Sequence, residues 1–148
     1  MRSDYISKNS GAGGFLAPWE QIKAARTLDA EKDSGKSFRL DSAGGAYTIT
    51  LPTVTTGLEG TSYKFWVEEN TPTGAITIAA GSAIIFGKVN ETEVDTGDDG
   101  PGSSGATGVS NVIIGTSAIK GDFLELSFSA GAYWLFGSSA ADGAVTTS

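Results

Sequence analysis

The chain contains neither histidine nor cysteine, so any chemistry it does must come from carboxylates, hydroxyls and amines. Ser-His-Asp and Cys-His nucleophiles are excluded, and so are the commonest zinc ligands. Paired carboxylates remain. Glu68 and Glu69 are consecutive, however, and consecutive strand residues point to opposite faces, so they read as a solvated strand end and not as an acid and base flanking one glycosidic bond. The densest acidic cluster is Glu91, Glu93, Asp95, Asp98 and Asp99, which suggests a calcium loop because Ca²⁺ takes several oxygens. An EF-hand register starting at Asp95 puts Gly97 where an oxygen ligand belongs and Ala106 where the bidentate glutamate belongs, and the match fails. Gly35-Lys36-Ser37 has the last letters of a phosphate loop but lacks the earlier glycine and the strand-to-helix setting. The expectation is a binding protein with no catalytic residues, no metal and no cofactor.

The elements that would position a binding site are strands. Ser37-Phe38-Arg39-Leu40 and Tyr47-Thr48-Ile49-Thr50-Leu51 alternate apolar and polar residues, and the stretches Asp33–Lys36 and Ala43–Ala46 hold the turn residues. Together they predict a half-buried hairpin that ends at Pro52. Ser62–Val67 places Tyr63, Phe65 and Val67 on one face with Lys64 and Trp66 on the other, the pattern of a central strand covered on both sides. Strands are also expected at Ala75–Ala79, Ala83–Val89 and Val109–Ile114. The closing hairpin is Asp122–Phe128 and Ala132–Gly137 around Ser129-Ala130-Gly131, with Leu124, Leu126 and Phe128 in the core. Residues 90–108, acidic and then nearly all small, read as a long projecting loop. The fold class expected is all-β, an antiparallel sandwich or small barrel with an extended N-terminal arm. Its parts would be the arm over residues 1–26, a β domain over 27–137 and a flexible tail over 138–148. Strand edges in such a body are open to a neighbour, so an oligomer is expected.

Charge is unevenly placed along a chain of net charge −7. The arm carries Arg2, Lys8, Lys23 and Arg26 against Asp4 and Glu20, whereas from Asp41 onward twelve acids face only Lys64, Lys88 and Lys120. An acidic body repels phosphate backbones, and no nucleic-acid partner is expected. No apolar run is long enough to span a bilayer and Met1–Ser10 lacks the apolar stretch of a signal peptide, so no membrane partner is expected either. Within the arm, Gly11–Gly14 is a hinge, and Phe15, Leu16 and Trp19 are large apolar groups in a segment too short to form its own core. They would be buried against the sheet or act as anchors on another chain. Residues 20–26 are compatible with one helical turn or an extended lead-in.

The run Asp33-Ser34-Gly35-Lys36, the Phe38-Arg39-Leu40-Asp41 strand, the small-residue turn, the strand ending Leu51-Pro52, Gly57 before Tyr63–Val67, and Ile76-Thr77-Ile78 together resemble a group of bacteriophage virion proteins. The resemblance covers roughly residues 27 to 90. That group comprises surface parts of phage particles, namely head decoration (capsid cement) proteins, head fibres and tail-fibre modules. The likeness implies a structural role on a virion, made in the host cytoplasm and placed on the outer surface of the head. It implies the major capsid protein as partner and a homo-oligomer, as a trimer. On that reading Phe15, Leu16 and Trp19 are apolar anchors, with Arg2, Lys8, Lys23 and Arg26 as steering charges. The alternative it leaves open is a receptor-binding or fibre module whose exposed aromatics, such as Tyr133 and Trp134, stack on host glycans.

Overall fold

Alternation sorts the strands into two mixed sheets that pack face to face. The computed structural model describes residues 19–94 and 101–148. In chain order the elements are β1 (Trp19–Ile22), β2 (Arg26–Thr27), a one-turn helix α1 (Ala30–Asp33), β3 (Ser37–Leu40), β4 (Tyr47–Thr50), a 3-10 turn (Thr56–Leu58) and β5 (Ser62–Val67). Then come β6 (Ile76–Ala79), β7 (Ile85–Val94), β8 (Pro101–Val109), β9 (Asn111–Ile114), β10 (Phe123–Ser129), β11 (Ala132–Ser139) and β12 (Val145–Thr147). The seven-stranded sheet runs β1-β3-β5-β10-β11-β7-β8 and the five-stranded sheet β12-β9-β6-β4-β2. The all-β sandwich expected from the sequence is therefore what the chain forms.

The pairing differs from the expectation. Strands β3 and β4 are not a hairpin: β3 pairs in parallel with β1 and β5, and β4 pairs in parallel with β2 and β6. The first six strands pass alternately from one sheet to the other, so the chain winds as a coil around the core. The reason lies in the inner faces. Phe38 and Leu40 on β3, and Ile49 on β4 with Leu51 just after it, are all buried in the same core cluster, and each pair buries best against the other across the sandwich. The turn between them is tied to the next coil, where the Thr73 hydroxyl donates to the Ser42 carbonyl and the Gly74 N–H donates to Ser42 Oγ at 3.3 Å. Leu51 still joins the ladder, donating its N–H to Ala79 O at 2.8 Å, and Pro52 ends it.

The second half of the chain holds the expected closing hairpin. β10 and β11 are antiparallel with Ser129 opposite Ala132, so the turn has two residues. Both are left-handed, Ala130 at φ 53° and Gly131 at φ 78°, as a type I′ hairpin requires. Leu124, Leu126 and Phe128 face the core as expected. The hairpin sits between β5 and β7 and joins the coil to the rest of the seven-stranded sheet.

Two further expectations are corrected. Residues 90–108 are not one long loop: β7 continues to Val94, and β8 starts at Pro101 and pairs antiparallel with it. β8 is an edge strand needing only one backbone ladder, which glycine and serine supply without any apolar alternation to reveal it. The tail likewise adds to the body. Val145 and Ala144 are buried, and β12 pairs with β9. At the other end the stretch 19–26, assigned above to the arm, supplies β1 and the start of β2, and the 20–26 lead-in is extended. Its short strands carry too little apolar alternation to show in the sequence. Helix is confined, among the described residues, to α1 and the 3-10 turn, and α1 is capped by Asp29, whose Oδ1 accepts from the N–H groups of Glu31 and Lys32 at 3.0 Å each.

Candidate binding surface

The two sheets bury their inner faces against each other, so function has to be sought on the outer faces. On the seven-stranded sheet the outward positions are unusually aromatic. Trp19 on β1, Trp66 on β5 and Phe123 on β10 form a contiguous row: Trp19 and Trp66 have ring centroids 6.1 Å apart, and Trp66 stacks on Phe123 at 4.8 Å and 27°. Phe123 in turn meets Phe136 of β11 at 6.1 Å, and Trp134 of β11 meets Phe86 of β7 at 6.0 Å. The relative exposures are 54% for Trp19, 38% for Phe86, 50% for Trp134 and 54% for Phe136. With about 150–250 Å² per aromatic side chain, those four leave on the order of 400 Å² of apolar surface in water, within the range that marks a functional patch.

Charged groups frame the rings. Lys64 pairs with Glu125 at 3.3 Å and Arg39 with Glu68 at 3.5 Å, and Glu68 also accepts from Gln21 Nε2. Beside Trp19 and Trp66 a groove of about 260 Å³ is lined by Arg39, Val67, Glu68, Lys120 and Gly121. The Trp134 indole is held in place by its Nε1–H donating to Ser129 O at 3.1 Å. The patch therefore combines planar apolar surface with fixed hydrogen-bonding groups at its margin. Such a surface can bind.

The residues singled out in the sequence fare differently. Arg2, Lys8, Phe15 and Leu16 lie outside the described residues, as do Asp95, Asp98 and Asp99 of the acidic cluster. Among the described residues no three potential metal ligands converge. Glu91 is buried. Trp19 is on the aromatic face, half exposed and not buried in its own sheet. Lys23 is largely exposed and pairs with Asp41 at 3.2 Å. Arg26 is tied into an ion-pair cluster at the edge of the core. Its guanidinium bonds Glu20, lies 2.8 Å from Asp33 Oδ1 and stands 5.5 Å over the Phe38 ring. Lys36 Nζ completes the cluster, 3.1 Å from Glu20 and 2.9 Å from Asp33. The two carboxylates converge where β2 and α1 close the edge of the core, so both cations are held there.

Tyr133, offered above with Trp134 as an exposed glycan platform, is wholly buried, and its hydroxyl donates to Pro52 O at 3.1 Å. It shares the phase of Leu135, and Trp134 and Phe136 take the outer phase. The sequence reading missed Phe86, Phe123 and Phe136 as surface groups. Aromatics in both phases of one strand, as at Phe65-Trp66 in β5 and Tyr133-Trp134 in β11, are the signal of a second apolar face.

The Arg26 cluster makes stability depend on pH. Burial works against the Asp33 carboxylate, but the Asp29 N–H, Lys36 and Arg26 outweigh it and hold Asp33 below its ordinary value of 3.8. Hydrogen bonding from Arg26, against some desolvation and with help from Lys36, holds Glu20 below 4.5. Both groups bind protons more weakly in the native state than in the unfolded chain. Their contribution is therefore complete above about pH 5 and is lost as pH falls through the lowered native values of the two carboxyls. Asp33→Asn should lower stability at pH 7 by about 2 kcal/mol, less than for a fully buried pair because the cations are partly solvated. Melting temperatures of the two proteins between pH 7 and pH 3 should converge on acidification; a constant gap would rule out this cluster as the source.

No family model matches the chain, and no curated protein matches it. What the fold and the surface define is a two-sheet β-sandwich with an uncovered aromatic face.

Proposed function

We propose that the chain is a non-enzymatic surface component of a bacteriophage particle, a head decoration protein that binds the outer head surface through the major capsid protein and stabilises the shell. Copies associate with one another, as a trimer by likeness to that class. The observation that carries the reading is the uncovered aromatic face. A face that leaves six aromatic rings outside the core is built to be covered by another macromolecule, and buried aromatics dominate interface energetics. Phe15 and Leu16 precede Trp19 in the chain, and on this reading they serve with it as anchors. The resemblance over residues 27 to 90 supports the particle.

Electron microscopy of immunogold-labelled particles, with an antibody against this chain, should place label over the whole head. Purified chain should co-sediment with shells, and changing Phe15 and Trp19 together to Ala should weaken binding by about 30-fold or more, as loss of central aromatic anchors does, with melting unchanged. Unaltered occupancy by the double variant would sink the anchor assignment. Unlabelled heads would sink the decoration reading.

The groove beside Trp19 and Trp66 favours a second reading, a receptor-binding module for host glycans. An indole face with Arg39, Glu68 and Lys120 around it offers stacking and hydrogen bonds to one sugar ring. Label confined to tail fibres, with tryptophan fluorescence quenched by a host oligosaccharide, would support it; a full glycan array without a ligand would remove it.

A further inference from the structure

In the groove beside Trp19 and Trp66, hydrogen-bond donors outnumber the acceptors left to meet them. Glu68 is the carboxylate that lines it, and both of its oxygens are taken from within the protein. Oε2 accepts from Gln21 Nε2 at 2.5 Å, and Oε1 faces Arg39 Nη1 at 3.5 Å. The neighbouring carboxylates are engaged as well. Asp41 pairs with Lys23 at 3.2 Å. Asp122 is buried next to Gly121 and accepts from the Ile119 and Ala140 N–H groups at 2.9 Å each and from Ser139 Oγ at 3.2 Å. The cations are not matched in this way. Lys120 is exposed and, like Lys88, has no ion-pair partner among the described residues. Arg39 meets Glu68 through one nitrogen, and its side chain is 49% exposed.

Both cations project from fixed backbone. Lys120 sits in the turn before β10, where the Asp122 N–H donates to Ile119 O at 3.1 Å and the Gly121 N–H ties the turn to Val67 O of β5 at 3.1 Å. Arg39 stands in register between Gln21 and Trp66 on adjacent strands. Backbone that is already ordered costs little to order on binding. The ligand that suits such a groove has a ring to lie on an indole and an anionic group at its edge to accept from the free donors. A neutral sugar would leave Lys120 unmatched. A cationic ligand would meet two like charges and a glutamate whose oxygens are already bonded.

We propose that the groove binds a carboxylated sugar, a uronate or sialate residue of a glycan, with its ring against the Trp19 and Trp66 indoles and its carboxylate held by Lys120 and Arg39. This rests on the glycan reading of the groove stated above and names the class of sugar that it takes. It does not depend on where the chain sits on a particle.

The test is an NMR titration of the isotopically labelled full chain, read at the indole N–H signals of its three tryptophans. The probes are methyl β-glucuronide, methyl β-glucoside, which differs from it only in a hydroxymethyl group for the carboxylate, methyl α-sialoside and sodium acetate. The glucuronide or the sialoside should shift the Trp19 and Trp66 signals and leave that of Trp134, two strands from Trp66, in place. It should bind about fivefold tighter than the glucoside, and which of the two acids binds identifies the sugar. Lys120→Gln should remove that advantage and Lys88→Gln should keep it; both side chains are exposed, so both variants should melt like the native chain. Equal affinity for glucuronide, sialoside and glucoside, or a preference that survives Lys120→Gln, would overturn the acidic-sugar assignment and leave the glycan reading standing. Acetate binding as well as the acids would reduce the site to a bare carboxylate contact and overturn it too. No shift at Trp19 or Trp66 with any sugar would overturn both.

Discussion

An alanine at position 87 should destabilise the protein by more than about 4 kcal/mol, the range associated with overpacked or strained backbone sites. Gly87 lies in β7 opposite Leu135 of the parallel neighbour β11, with φ at +131°, where L-residues are strained. A Cβ there would overlap the Leu135 carbonyl oxygen and come within 2.9 Å of Leu135 C and N. The obstacle is backbone, so no rotamer change relieves it. The damage would fall at the junction that carries β7 and β8, and with them Phe86. For a domain of this size the melting temperature should fall by about 10 °C or more. A Gly87→Ala protein melting within a few degrees of the native chain would show that β7 and β11 do not approach as described.

Phe65→Ala should cost about 3–5 kcal/mol, as removal of a large buried aromatic does. Phe65 is wholly buried on β5, stacks on Phe38 with centroids 5.6 Å apart, and is in register with Phe38 on one side and Leu124 on the other. β5 is where the parallel coil meets the antiparallel hairpin, so the cavity would loosen both halves together. Denaturant unfolding should remain a single transition with a lowered midpoint and an unchanged slope. Two separated transitions would mean that the coil and the hairpin are independent units, contrary to the single core. Trp66→Ala, one residue along, removes an outward ring and should cost clearly less.

The contrast between Phe65 and Trp66 shows how much was legible in advance. Period-2 alternation assigned Tyr63, Phe65 and Val67 to one face, and Leu124, Leu126 and Phe128 to the core, and the structure agrees. Alternation is silent about partners. Phe38 and Ile49 both read as inward, which suits a hairpin and equally suits two strands facing each other across a sandwich. The choice was made by Ile22, Val67 and Ile78, far along the chain, whose strands complete parallel ladders with β3 and β4. β8 escaped notice for the opposite reason, since its glycines and serines pair through backbone alone. Arg26 looked like a free charge because its partners Glu20 and Asp33, which it shares with Lys36, converge only when β1, β2 and α1 fold together.

The sequence by itself determined that histidine and cysteine chemistry is absent, that the chain is built from short strands, and which residues of the clearly alternating strands β3, β4, β5 and β10 turn inward, because these follow from composition and local geometry. Only the tertiary structure decided that Trp19, Trp66, Phe86, Phe123, Trp134 and Phe136 share one outer face, and that Thr48, Thr77, Ile113 and Thr146 line up across the opposite sheet. Strand order in a sheet is set by long-range pairing, and a two-residue period carries no information about which strand lies next to which.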